Sequence, residues 1–294
     1  MFTNFYELAA YFLVYAFIGW IVEVVYHVVA AGNIINRGFL NGPLCPIYGC
    51  GMVTALWVLS PVMDSTLLLF IGGMFLTTFI ELVGGWALDK LFHMRWWDYS
   101  KEPMNLGGYI CVKFALAWGF GVVFVMKLVN PPIDSMIKIT AASTPGKIII
   151  ILLLIVLFLD LFATVITILN FNKQLETIDK IGMEIHRISD TLTEGIGEAS
   201  LTGAQKIGEA RVQATLGKAE LSDKLTETKT EVADMLNNTR DELILHRDAI
   251  VHKLTAHKIF GYGRILAAFP GATHRVHTDV LEKLKKISPH NNHK

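Results

Sequence analysis

Five long apolar runs constrain this chain more than any other feature of its sequence. They cover residues 5–31, 44–63, 66–92, 108–130 and 147–169. Each run supplies the roughly 20 residues that a helix needs to cross a bilayer. The first run contains Glu23 and has no basic segment in front of it, which favours a retained helix over a cleaved signal peptide. The sequence therefore predicts an all-α polytopic membrane protein with about five transmembrane helices.

Charge divides the chain into an apolar first part and a charged second part. Residues 1–170 hold 8 of the 26 Lys and Arg residues and 9 of the 26 Asp and Glu residues, whereas residues 171–294 hold 18 and 17. We predict a transmembrane helical domain at 1–170, a cytosolic amphipathic helix or weak coiled coil at 171–257, and a short C-terminal helical element with a disordered end at 258–294. The formal net charge of zero does not favour nucleic acid as a partner.

An apolar stripe supports the helix in the middle segment. Its members recur at intervals of three and four residues, as on one face of a helix: Ile178, Ile181, Ile185, Ile188, Leu192 and Ile196. The C-terminal element is too apolar to be a free tail, and we expect it to dock on the membrane domain or on the bilayer surface.

The distribution of basic residues predicts the orientation. An odd number of spans places the two termini on opposite sides of the membrane. The turn near 62–65 has no Lys or Arg, whereas two other turns carry four basic residues: Arg37, Lys90, Arg95 and Lys101. The positive-inside rule then places the N-terminus outside and the C-terminus inside. Three lysines on the predicted outer side argue for the reverse: Lys127, Lys138 and Lys147.

Three carboxylates lie well away from the ends of the apolar runs, at Glu23, Glu81 and Asp160. A charge at membrane depth costs roughly 3 kcal/mol or more, so it normally faces the interior of the protein or a water-filled cavity. Trp20, Glu23 and His27 share one helix face by their spacing. Glu23 and Glu81 therefore indicate a polar cavity that handles a ligand or an ion, with a structural hydrogen bond or salt bridge as the alternative. For Asp160 we favour the structural role.

A repeated spacing suggests an internal duplication. Glu23 precedes Arg37 by 14 residues, and Glu81 precedes Arg95 by 14 residues. An Asn, a Gly and then a Cys follow each Arg. If this similarity is not due to chance, spans 1–2 and 3–4 are parallel repeats related by an axis along the membrane normal. Both Glu and Arg pairs would then approach one shared site.

The stretch NRGFLNGPLCPIYG, residues 36–49, places helix breakers and polar groups between two apolar runs. Irregular backbone at membrane depth is tolerated only against protein or a wet cavity. We predict a loop that folds inward and leads to a helix, with Pro43 in its first turn. Free N–H groups at that helix start, together with Arg37, could bind an anionic or carbonyl group. The alternative is a rigid loop that only positions the hairpin.

Familiar catalytic motifs are absent from the sequence. It contains no G-x-x-x-x-G-K-[ST], H-E-x-x-H or G-x-S-x-G pattern, and its three cysteines have no zinc-site spacing. We therefore assign no catalytic residue, no metal and no cofactor. An enzyme is not the favoured interpretation.

Several short motifs carry a family resemblance: Gly19-Trp20 with Glu23, residues 36–49, Glu81, Trp96-Trp97-Asp98-Tyr99-Ser100, Asn105 with Gly108 and Cys111, and Trp118-Gly119. Over about residues 5–130 they resemble a bacterial membrane family labelled putative ABC-transporter permease, type IV. The tail motif RILAAFP, residues 264–270, is similar to the end of such proteins. The resemblance implies a multi-pass protein of the bacterial cytoplasmic (inner) membrane. No segment resembles the coupling loop that would hold an ATPase.

These features lead to one favoured hypothesis and two alternatives. The favoured one is a permease or permease-like subunit with a polar cavity that faces the cytosol. The alternatives are an integral-membrane enzyme that acts on a lipid or amphiphile at the cytosolic leaflet, and a non-catalytic membrane scaffold. Candidate partners are membrane lipid, a second copy of the chain through the tail, and a separate ATPase subunit. The candidate cavity residues are Trp20, Glu23, Arg37, Asn41, Tyr48, Glu81, Arg95, Asp98, Asn105 and Lys113.

Overall fold

The computed structural model describes residues 2–32, 34–209, 217–256 and 261–288, with side chains at all of these except 30–31, 195–209 and 217–229. These ranges are mostly helical. The helices are α1 (Phe5–Ala31), α2 (Pro46–Leu59), α3 (Thr66–Phe92), α4 (Val112–Phe124), α5 (Asn130–Ala142), α6 (Thr144–Glu209), α7 (Gly217–Thr255), α8 (Tyr262–Ala268) and α9 (Thr278–Ile287). The strands are β1 (Met94–Arg95), β2 (Asn105–Leu106), β3 (Ile110–Cys111) and β4 (Thr273–His274).

Four stretches of helix are long and apolar enough to cross a membrane: Phe5–Val29, Thr66–Phe92, Val112–Ala142 and Thr144–Glu194. The second apolar run forms a shorter apolar helix, Pro46–Val62, which consists of α2 and one 3₁₀ turn. Large apolar side chains on these helices face outward, and Phe75, Phe120 and Phe162 are each 67% exposed. A lipid environment accommodates such a surface, so the chain is an all-α membrane protein.

Helix boundaries follow local signals in α1 and α3. Asn4 precedes α1, and its side chain accepts a hydrogen bond from the Glu7 N–H at 3.0 Å. Ser65 precedes α3, and its hydroxyl accepts from the Leu68 N–H at 3.3 Å. Each side chain satisfies an N–H group that has no partner within its helix. The bounds of these two helices coincide with apolar runs 5–31 and 66–92.

The third of these stretches, Val112–Ala142, continues beyond its apolar run. A π-helical turn, Val125–Val129, joins α4 to α5, so the segment after residue 130 is helical rather than a loop. Pro131 and Pro132 lie in the first turn of α5, where a missing N–H group costs least. The wide turn before them lets the backbone continue through both prolines.

The helix after the Pro- and Gly-rich loop begins at Pro46, so the prediction of Pro43 in its first turn is wrong. The Cys45 N–H donates to the Ala16 carbonyl of α1 at 2.9 Å, and Cys45 has extended backbone angles. This contact across the hairpin keeps Cys45 outside the helix. Pro46 then occupies the favoured first helical position.

The same loop is held by the Asp160 carboxylate of α6. Asp160 Oδ1 accepts from the Asn41 N–H at 3.1 Å and from Asn41 Nδ2 at 3.0 Å, and Oδ2 accepts from the Gly42 N–H at 2.7 Å. A Cβ atom on Gly42 would lie 3.0 Å from Oδ2, so glycine permits this close approach. The anionic group that binds the free N–H groups of the loop is therefore an acid of the protein itself.

Arg264 of α8 binds the other side of this loop. Its side chain is 1% exposed, and it donates to the carbonyls of Gly38 at 2.8 Å and Phe39 at 3.1 Å. Burial lowers the pKa of the Arg264 guanidinium, and the Asp160 charge opposes that shift. The N–H groups of the loop thus bind a carboxylate, and its carbonyl groups bind a guanidinium group.

The C-terminal element packs on the membrane helices. β4 pairs antiparallel with β1, with Met94 opposite His274, and the Phe269 ring packs edge-on against Trp96 at 4.7 Å. Arg275 reaches the buried Asp89 at the end of α3, with Nε to Oδ1 and Nη2 to Oδ2 both 2.6 Å. The element therefore docks on protein. We predicted disorder from Ser288 to Lys294, but Ser288 is buried and its N–H donates to the Leu284 carbonyl at 2.9 Å; residues 289–294 lie outside the described residues.

The chain forms two compact units, one of residues 1–172 and 255–294 and the other of residues 173–254. In the second unit Ile178, Ile181 and Ile188 of the apolar stripe are buried. The Ile196 side chain lies outside the described residues. The ion pair between Lys180 and Glu176 in the same unit, at 2.6 Å, is exposed to solvent.

We expect Asp160→Ala to destabilise the protein by about 3 kcal/mol, because it leaves two backbone N–H groups and an amide without their acceptor. Thermal unfolding in a maltoside detergent measures the change. Thr167→Ala is the control, because the Thr167 hydroxyl bonds only to Ala163 of its own helix. Equal melting temperatures for the two variants would contradict the role given to Asp160.

We expect deletion of residues 176–257 to leave the first unit folded. Phe171 and Tyr262, on the two sides of the deletion, have stacked rings 6.1 Å apart, so a short linker can join the ends. Size-exclusion chromatography should give one sharp peak. A chain truncated after residue 257 loses Arg264 and Arg275 as well, and we expect it to unfold at a lower temperature than the internal deletion. If the internal deletion aggregates, the two units are not independent.

Candidate functional site

Two membrane-depth glutamates and three aromatic side chains form the strongest candidate site. The paired-glutamate site consists of Glu23 on α1, Tyr48 on α2, Glu81 on α3, Tyr99 in the segment between β1 and β2, and Trp118 on α4. It lies toward the end of the helices that carries segments 34–45 and 93–111, which we call the loop end.

The Glu23 half of the site combines a phenol and a cation. The Tyr48 hydroxyl donates to Glu23 Oε1 at 2.7 Å, and Arg37 Nε lies 3.8 Å from Glu23 Oε2. The side chains of Arg37 and Glu23 are 23% and 27% exposed, so this pair is accessible. A Cβ atom on Gly19 would lie 2.2 Å from Tyr48 Cγ, so only glycine leaves room for the Tyr48 ring beside α1.

The Glu81 half is buried and has neutral donors. Glu81 is 7% exposed. The Tyr99 hydroxyl donates to its Oε1 at 3.0 Å, and Trp118 Nε1 donates to its Oε2 at 3.2 Å. Among the described residues no cation forms an ion pair with Glu81. This carboxyl group is therefore held by hydrogen bonds alone in a low-dielectric environment.

Aromatic contacts join the two halves. The rings of Tyr48 and Trp118, one on each carboxylate, meet edge to face at 5.7 Å. Tyr99 stacks on Phe114 at 4.7 Å, which fixes its hydroxyl toward Glu81. Burial raises the pKa of Tyr99 above its ordinary value, and the Glu81 charge and then, more weakly, the Glu23 charge raise it further. The negative charges of both carboxylates thus act on the Tyr99 hydroxyl.

Arg95 lies in a different cluster from Glu81. Its Nε is 3.2 Å from Asp89 Oδ2, and its guanidinium lies over the Tyr109 ring at 4.7 Å. Asp89 is fully buried and also binds Arg275 and the Tyr109 hydroxyl. The equal Glu-to-Arg spacing therefore produces one Glu–Arg pair, Glu23 with Arg37. Arg95 pairs instead with Asp89, which lies six residues before it in the chain.

Five other sequence candidates make contacts with loop residues or, in the case of Asn41, with α6. Trp20 Nε1 donates to Asn36 Oδ1 at 2.7 Å, and Asn41 binds Asp160 as described above.

The other three candidates lie in or next to segment 93–111. Asp98 accepts from the Ser100 N–H at 2.9 Å. Asn105 Nδ2 donates to the Glu102 carbonyl at 2.8 Å, and Lys113 pairs with Glu102 at 3.3 Å. These residues shape the loop end.

Sequence reasoning missed several residues of the loop end: Tyr99 and Trp118 in the site, and Asp89, Tyr109, Arg264 and Arg275 around it. Both Tyr99 and Trp118 lie inside motifs of the family resemblance, which was the available signal. Arg275 had none, because it lies 186 residues from the acid that it binds.

A cavity of about 320 Å³ lies at the opposite end of the helices, which carries the N-terminus and the 60–66 turn. Ser60, which follows α2, lines it, whereas Tyr48 lies at the start of α2. No member of the paired-glutamate site lines this cavity. Within the described residues, no group of three His, Cys, Asp or Glu side chains is arranged to hold a metal ion.

Comparison with known proteins identifies the membrane part. Residues 10–165, just over half of the chain, match the model of a family described as putative ABC-transporter type IV. No curated protein and no solved structure matches the chain significantly. The matched region contains most of α1, all of α2 to α5 and both glutamates of the paired-glutamate site, so the family match and the candidate site share one part of the molecule. The chain belongs to the putative ABC-transporter type IV family of membrane proteins.

Proposed function

We propose that this chain is a permease-like subunit of the bacterial inner membrane and that the paired-glutamate site binds a small cation or proton during transport. The family match supports a transporter-related protein in general terms. The chemistry of the site supports the narrower assignment.

Glu81 is the observation that carries this proposal. A buried carboxylate at membrane depth is stable when a cation neutralises it or when it takes up a proton. Glu81 has two neutral donors, and among the described residues it has no ion-pair partner. Its charge is therefore available to a mobile cation, whereas Asp89, with two arginines, is already neutralised.

The Glu23 half gives this site an entrance. Glu23 is more exposed than Glu81 and lies beside the loop that Asp160 holds. A cation that enters from the loop end would meet Glu23 first and could displace Arg37, whose contact of 3.8 Å is long for an ion pair. The edge contact between the Tyr48 and Trp118 rings then lies between the two carboxylates. A small movement of α2 against α4 would open a path for the cation from Glu23 to Glu81.

The alternatives have weaker support. A membrane enzyme that binds a lipid phosphate would need several cations at the site, whereas the two glutamates have one ion-pair partner among the described residues, Arg37. A scaffold would not need a buried acid without a counter-ion. Assembly with a separate ATPase subunit, or with a second copy through the tail, is compatible with the proposal.

We expect Glu81→Gln to reduce cation binding without unfolding the protein. Solid-supported-membrane electrophysiology on proteoliposomes measures the charge displaced when Na⁺, K⁺, NH₄⁺ or H⁺ concentration is raised suddenly. At least one cation should give a transient current, and the variant should need a concentration higher by about tenfold or more, because loss of ~1.4 kcal/mol corresponds to tenfold in affinity. The amide oxygen still accepts from Trp118 Nε1, and the Tyr99 hydroxyl, which can accept as well as donate, can turn to accept from the amide NH2.

Glu102→Gln is the matched control, because Glu102 is a partly exposed glutamate of the same loop end that pairs with Lys113. It should behave as the unaltered chain does. Melting temperatures of both variants within about 3 °C of the unaltered chain exclude a folding defect. If no cation gives a current, or if Glu81→Gln leaves it unchanged, the paired-glutamate site is not a cation site.

A further inference from the structure

We propose that the cavity at the N-terminal end of the helices is a second binding site, specific for a small organic ammonium ion with an apolar body. Asp134 would be the counter-ion of its head group. This proposal does not depend on the function of the paired-glutamate site.

The lining of the cavity has a polar side and an apolar side. Asp134, Asn130 and Ser60 supply oxygen atoms, and Leu56, Met63 and Met126 supply apolar surface. The volume of about 320 Å³ is at the lower end of the range for small-molecule sites. Such a cavity suits a compact amphiphile with one polar end.

The charge of the lining selects a cation. Asp134 is the one ionised side chain that lines the cavity among the described residues, and Lys138, its partner at 2.8 Å, is not part of the lining. The Lys138 side chain is 53% exposed, and an exposed i,i+4 pair of this kind is weak. A ligand ammonium can therefore take the place of Lys138 at Asp134, whereas an anion would meet an acid.

Aromatic and thioether groups complete the match. The rings of Phe2 and Tyr11 line the same cavity and meet edge to face at 5.1 Å. Aromatic rings attract ammonium ions, most strongly where water is excluded, and methionine sulfur adapts to the shape of an apolar body. Rings next to a carboxylate are a combination that recognises ammonium groups.

Hydrogen bonds hold the polar wall in place without a ligand. The buried Tyr15 hydroxyl donates to Asn130 Oδ1 at 2.8 Å, and the Tyr11 hydroxyl donates to Asp134 Oδ1. Asn130 and Asp134 are thus fixed by α1 before any ligand binds, which reduces the entropy that binding must overcome. Tyr11 and Glu23 are separated by 12 residues of α1, or ~18 Å along the axis, so this site is distinct from the paired-glutamate site.

Binding of three probes that share a benzene ring tests the proposal. We expect the full chain in an uncharged maltoside detergent to bind benzyltrimethylammonium saturably in isothermal titration calorimetry. Benzyl alcohol should bind more weakly, and benzenesulfonate should not bind. Saturable binding of benzenesulfonate, or no saturable binding of the ammonium probe, would overturn the proposal.

Two variants should shift the affinity in opposite directions. Asp134→Asn should weaken binding of benzyltrimethylammonium by about tenfold or more, while the amide oxygen still accepts from Tyr11. Lys138→Ala should tighten it by about two- to fivefold, because it removes the competing cation. Lys127→Ala is the matched control: Lys127 is at the same end and bonds to Thr66, so it changes net charge equally without touching Asp134.

A variant at the rim keeps the test decisive if Asp134→Asn does not fold. Ser60 is exposed and lines the cavity, so Ser60→Trp should fill it and abolish binding with little effect on the melting temperature. Unchanged affinity in Asp134→Asn or in Ser60→Trp, or weaker binding in Lys138→Ala, would show that the probe binds elsewhere.

Discussion

The contact between the Asp160 carboxylate and the backbone of residues 41–42 is the interaction on which the loop end depends. It fixes an irregular segment against α6 at a depth where unpaired N–H groups are costly. Arg264 binds the carbonyls of the same segment, and that brings the C-terminal element to the loop. Through residues 43–45 the loop sets the start of α2, and so the position of Tyr48 beside Glu23.

Three acids in the apolar helices are stabilised in three different ways. Asp160 binds backbone N–H groups, Asp89 binds two guanidinium groups, and Glu81 binds a phenol and an indole. The first two arrangements use fixed partners and tie distant parts of the chain together. The third leaves the charge of Glu81 without a fixed counter-ion, and for that reason the proposed transport function rests on Glu81 rather than on the other acids.

The two ends of the helix assembly differ in character. The loop end is built from polar contacts between segments far apart in the chain, and its glutamates are linked by aromatic rings. The N-terminal end has a preformed cavity in which one carboxylate lies next to aromatic and thioether groups. A chain of the putative ABC-transporter type IV family thus has acidic groups near both ends of its helices.

Much of the architecture was predictable because a bilayer imposes a length and a composition on each helix. Runs 5–31 and 66–92 became α1 and α3 with the same bounds, since Asn4 and Ser65 cap them. The start of α2 was not predictable, because it depends on a hydrogen bond between Cys45 and Ala16. The helix that starts in the fourth apolar run, Val112–Ala142, is longer than predicted. A π-helical turn carries the chain through two prolines that normally end a helix.

The candidate site divides in the same way. Sequence alone identified Glu23, Glu81 and Arg37 as unusual, because charged side chains in apolar helices are costly wherever they lie. It also singled out residues 36–49, either as a binding loop or as a rigid loop that positions the hairpin, since a run of glycines and prolines leaves backbone groups without partners. Only the tertiary structure decided that Asp160 binds the N–H groups of that loop and that Arg95 binds Asp89. It also decided that Tyr99 and Trp118 donate hydrogen bonds to Glu81. The physical reason is that the choice of partner for a buried charge depends on which groups packing brings within about 3–4 Å, and that distance is not encoded in spacing along the chain.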